Sequence, residues 1–121
     1  LHIAIHELAH SMAEESIPWL RELPEPDKIF VEELLARLVE RTISLELREL
    51  LGEEAVFVES LEEQLAELRF YEDLRGLEMD VRDLEALFSS FREQAGRRGW
   101  ARDFAKYLLR TREKFMTGGG R

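Results

Sequence analysis

The sequence has no cysteine and no asparagine among its 121 residues, and only two glutamines, Gln64 and Gln94. Without cysteine there is no disulfide framework and no thiolate metal site, so any bound metal must be held by imidazole and carboxylate groups. Prolines are equally few, and all three (Pro18, Pro24 and Pro26) fall in one short stretch. No run approaches the roughly 18 to 20 apolar residues of a membrane span, and no signal peptide is visible, so a cytoplasmic location is expected. β-Branched and aromatic runs of the kind that make strands are nearly missing, which points to an all-α fold. The chain opens on Leu1 rather than on Met and is therefore read as a fragment or a processed product.

What is present is charge. Charged residues make up 36% of the chain and the formal net charge is −9. High Glu and Arg with few thermolabile side chains suggests a thermophilic source. A strongly acidic chain argues against general nucleic-acid binding. The charge is uneven, however: residues 92–121 hold nine basic and three acidic side chains, a net of +6, which leaves −15 for the rest. Such polarity marks an interaction surface, or two ends that attract each other. An apolar content of 45% supports one packed core, hence a single domain over 1–121. Its first part (1–51) and its remainder (52–121) have different tasks in this reading.

The chemistry sits near the start, in Ile5-His6-Glu7-Leu8-Ala9-His10-Ser11-Met12. On a helix, His6 and His10 are one turn apart and present two imidazoles to one metal ion, while Glu7 can reach a water on that ion. Zinc is the expected cofactor, and Glu7 the expected general base. A chance H-E-x-x-H in a chain of this length occurs on the order of a few times in a thousand. The bland alternative is an amphipathic helix with two incidental histidines. His2 shares the helical face but lies about 12 Å from His10 along the axis, too far to bind the same ion.

Two histidines need a third protein ligand and an open position for water. No His or Cys follows His10, so that ligand must be a carboxylate. Glu14 and Glu15 are too close to His10 on the same helix. Glu32 and Glu33, on the next helix beyond the proline stretch, are the candidates, and a hairpin of helices would bring them back over the motif.

Five helices are expected. The first covers about 2–15 and is closed by Pro18. Residues 16–27 form a loop pinned by Trp19 and Leu20. Asp27 caps a central helix over about 28–51, whose apolar positions (among them Phe30, Leu34, Leu38, Leu50 and Leu51) bury more than one face, and Gly52 ends it. Ser60-Leu61-Glu62-Glu63 reads as a capping box for a helix over 61–75. Asp80 caps the next, ending near Gly96, and the last runs from Trp100 to Met116. Residues 55–58 are either extended or the start of a helix. On the last helix Trp100, Phe104, Tyr107, Leu108, Thr111 and Phe115 form an inward stripe. Arg98, Arg102, Lys106, Arg110 and Lys114 form an opposite basic row, a weak alternative as a nucleic-acid face and more simply a solvated one.

His6-Glu7-Leu8-Ala9-His10, followed by Val31-Glu32-Glu33-Leu34-Leu35-Ala36-Arg37-Leu38, resembles the gluzincin-type metallopeptidase domains of the ImmA/IrrE and ArdC kind, over roughly residues 1–45. The resemblance implies a peptidase acting on a protein or peptide substrate, with a Glu on the following helix completing the zinc site. It favours Glu33 over Glu32, because the ligand in that pattern is usually followed four residues later by a polar partner. Arg37 holds that place here, where an acid is more usual. The family also carries a small sheet before the motif helix, for which this chain has no room. The chain is thus expected to be the helical part of such a domain. Tyr71 and Tyr107 are candidate oxyanion donors, with aromatic packing as the plainer role for both. The competing expectation is a catalytically inactive helical interaction module, phage- or defence-related, that keeps the motif and associates with itself or a partner.

Overall fold

The computed structural model describes residues 17–95 and 97–116. The expected first helix and the glycine tail at 118–120 lie outside them. The fold is all-α: four α-helices are present among the described residues, with two short 3-10 turns and no strand beyond a single bridge between Leu77 and Met116. None of the described helices is long and apolar enough to cross a membrane.

A 3-10 turn over Pro18–Glu22 opens the described chain. Ile17 and Leu20 are fully buried and Trp19 packs against the core, so the expected pinning is observed. Helix α1 (Glu25–Leu51) follows. It starts at Glu25 and not, as expected, at Lys28 behind an Asp27 cap. Pro24 occupies the cap position, with no side-chain cap bond, and Pro26 lies in the first turn. Proline lacks the N–H that the first turn cannot use, and its fixed φ suits that position. Asp27 instead forms an ion pair with Arg112 at 2.9 Å. The helix stops as expected at Gly52, whose φ of 96° is costly for any residue with a β-carbon.

Residues 30–40 of α1 are all buried, on every face of the helix. Beyond Arg41 the helix emerges, and Leu50 and Leu51, expected to be inward, are 80% and 61% exposed. Their place in the apolar pattern says which side of the helix they occupy, not whether anything covers that side.

Helix α2 (Leu61–Leu68) begins at the expected capping box: Ser60 Oγ accepts from the Glu63 backbone N–H at 3.1 Å, and Glu63 accepts from the Ser60 N–H at 3.3 Å. It ends seven residues earlier than expected, and a 3-10 turn over Glu72–Leu74 follows. The cause is register. Leu68 and Leu74 are both buried, yet six residues on an α-helix turn through about 240°, which would send Leu74 outward. Leaving the helix resets the phase and lets Leu74, Leu77 and Met79 enter the core. Arg69 secures the new path, donating to the carbonyls of Leu77 (3.4 Å) and Met79 (2.7 Å). Residues 55–58 form no regular element.

Helix α3 (Val81–Gln94) has a second capping box, Asp80 with Asp83, and α4 (Trp100–Phe115) ends within a residue of expectation. The inward stripe of α4 is observed, with Phe104 and Leu108 fully buried. Phe91 meets Trp100 and Phe104 edge-on, at 5.2 and 5.4 Å between centroids. Helix α4 lies most extensively against α1, and α2 against α3.

Candidate functional site

Helix α1 carries a polar stripe inside the protein. Glu33, Arg37, Glu40 and Ser44 recur at intervals of four, three and four residues, which keeps them on one helical face. All four are buried, as is Glu32. Burying charge is costly unless the charge is compensated. Arg37 provides part of the compensation. Its Nη1 lies 3.5 Å from Glu33 Oε1 and its Nη2 lies 3.4 Å from Glu67 Oε1 on α2. The guanidinium therefore bridges two carboxylates on two helices, an arrangement its fork of donors suits. Lys28 stands 4.0 Å from Glu32, one turn back along α1.

Tyr71 joins this cluster from the chain after α2. Its hydroxyl interacts electrostatically with both Glu33 and Arg37. Burial, reinforced by the Glu33 carboxylate, pushes its pKa above the ordinary phenol value, while Arg37 pulls the other way. The neutral hydroxyl can thus donate to Glu33 at neutral pH. Two residues singled out separately in the sequence, Glu33 and Tyr71, are brought together here. Tyr107 is not part of the cluster. It packs against Phe104 with ring centroids 5.5 Å apart, the aromatic role.

His6, Glu7 and His10 lie outside the described residues. Among the described residues no group of three or more His, Cys, Asp or Glu side chains is placed to hold a metal ion. Those residues do supply carboxylates: Glu32, Glu33, Glu40 and Glu59 are buried, against one buried guanidinium, Arg37. The link between Arg37 and Glu67 was not read from the sequence. Glu67 falls in an acidic, solvated-looking stretch, and only the packing of α2 on α1 singles it out.

A second feature lies on α4. Arg102, Lys106, Arg110 and Lys114 are all exposed along it, as the row pattern requires, while Arg98, also exposed, lies in the turn before the helix, cut off by the left-handed Gly99. Between this row and the Pro18–Glu22 turn is a hollow of about 310 Å³, lined by Trp19, Lys106, Leu109 and Arg110.

Comparison with models of known families, with curated proteins and with solved structures finds no match to this chain.

Proposed function

We propose that this chain is a zinc-dependent peptidase of gluzincin type. The observation that carries the reading is the sequence His6-Glu7-Leu8-Ala9-His10 followed by a helix whose Glu33 is buried rather than solvated. Its pairing with Arg37 keeps a carboxylate inside the protein in the ionised form that a metal ligand needs. The donor set fits zinc: two imidazoles and one carboxylate, with no thiolate. Ligating carboxylates are usually held by hydrogen bonds from neighbouring groups, and Arg37 and Tyr71 stand in that relation to Glu33. Glu32, the alternative ligand, is buried too but pairs back towards Lys28.

Bound zinc would polarise the attacking water and the scissile carbonyl. His6, His10 and Glu33 would hold it. Glu7 would take up the proton of the attacking water and pass it to the leaving nitrogen. The test is metal content and turnover together. Zinc should copurify with the protein and raise its melting temperature. Glu7→Gln should keep the zinc and lose peptide cleavage, since a neutral amide cannot take the proton. A protein without zinc, whose melting temperature zinc does not change, would overturn the reading.

The second reading, an inactive interaction module, is favoured by one observation. Leu50, Leu51, Phe57 and Phe70 are 80%, 61%, 67% and 84% exposed. It calls for no hydrolysis under any condition and for self-association or a partner, which light scattering after size exclusion detects.

A further inference from the structure

We infer that the hollow between the Pro18–Glu22 turn and α4 is a docking site for a short acidic peptide segment, one that inserts an apolar side chain between Trp19 and Leu109 and sets flanking carboxylates against Lys106 and Arg110. Two observations meet there. The hollow is about 310 Å³, room for one large side chain and not for an extended ligand. Its lining combines two apolar side chains, Trp19 and Leu109, with two cations, Lys106 and Arg110, an apolar anchor point beside charges of one sign.

The cations are available for this purpose. Lys106 and Arg110 are exposed and one helical turn apart. Arg102 and Lys114 extend the row on either side, with Asp103 and Glu113 as the acids nearest to it along α4. The net charge of the chain decides between acidic ligands. At −9 the protein repels a polyanion such as nucleic acid, whose binding is built on many phosphates. A peptide with about four carboxylates needs only the short local row of cations. If the peptidase reading holds, the hollow would favour substrates with an apolar residue among acids.

Binding can be measured apart from catalysis. The full chain carrying Glu7→Gln, without added zinc, is titrated against a fluorescein-labelled Asp-Glu-Phe-Glu-Asp peptide and followed by anisotropy. The peptide should bind saturably. The double charge reversal Lys106→Glu with Arg110→Glu, at exposed positions that leave the core untouched, should weaken it by about tenfold or more. An Asp-Glu-Ala-Glu-Asp peptide should bind more weakly than the Phe peptide, and Lys-Lys-Phe-Lys-Lys should not bind. Equal binding by the reversed variant, equal binding of the Ala peptide, or tighter binding of a ten-residue oligothymidylate than of the acidic peptide would each overturn the proposal. Loss of peptidase activity alone would not, because no arm of the titration depends on turnover.

Discussion

Glu32 and Glu33 are adjacent in sequence and about 100° apart around α1, so one substitution tests each direction. Glu33→Gln replaces a charged oxygen ligand by a neutral one of the same shape. Zinc should then raise the melting temperature of this variant much less than that of the parent, because a metal stabilises the folded state only in proportion to its affinity. Glu32→Gln should respond to zinc like the parent. A thermal-shift series over zinc concentration distinguishes the two. If the Glu32 variant alone fails to respond, the ligand is reassigned by one residue. If both respond fully, the carboxylate comes from elsewhere. That Glu33 is inside was partly legible in the sequence, since it lies in a run flanked by Val31, Leu34 and Leu35. Its meeting with Tyr71 was not. Those residues are 38 positions apart, and the meeting depends on α2 ending at Leu68 and turning the chain back.

At the scale of the element, the sequence was most readable where side chains bond to their own backbone. Ser60 and Glu63, and Asp80 and Asp83, announce two helix starts through local hydrogen bonds that need nothing from the rest of the fold. Gly52 announces an end for an equally local reason. The early stop of α2 had no such signal, because it answers to burial demands set by distant residues, whereas the early start of α1 has a local one in Pro26 of its first turn. The Asp80 cap carries a pH prediction. Hydrogen bonds, chiefly from the Asp83 backbone N–H, hold the Asp80 carboxyl below its ordinary pKa. The folded state therefore binds this proton less readily than the unfolded chain. Its contribution to stability is present above the unfolded value of about 3.9 and is lost as pH falls through the lower folded value. Asp80→Asn keeps a capping oxygen and removes the titration. Urea midpoints measured from pH 7 down to pH 2 should fall less steeply for this variant than for the parent.

The whole molecule is held by what α4 brings to α1. Phe104 is fully buried, touches Phe91 and Tyr107, and sits on the helix that covers α1 most extensively. Phe104→Ala should destabilise the fold by about 3–5 kcal/mol, removing transfer energy and leaving a cavity. Chemical denaturation followed by circular dichroism would give the value. A loss under about 1 kcal/mol would mean that the site collapses and that the aromatic cluster is not the keystone proposed for it. The all-α class and the inward stripe of α4 followed from the 3.6-residue period of the apolar positions. Which helix that stripe would cover did not, since period fixes a face and not its partner.

That pairing has a consequence during synthesis. Helix α1 leaves the ribosome before α4, its main covering helix, which is the last described element to be made. At roughly 5–20 residues per second, the interval between Leu51 and Phe115 is roughly 3 to 13 seconds. For that time Phe30, Leu34 and Leu38 have no α4 to close over them. The charges interleaved with them, Glu32, Glu33, Arg37 and Glu40, are costly in the finished interior. In the nascent chain the same charges interrupt an otherwise continuous apolar segment and act as gatekeepers against aggregation until α4 emerges.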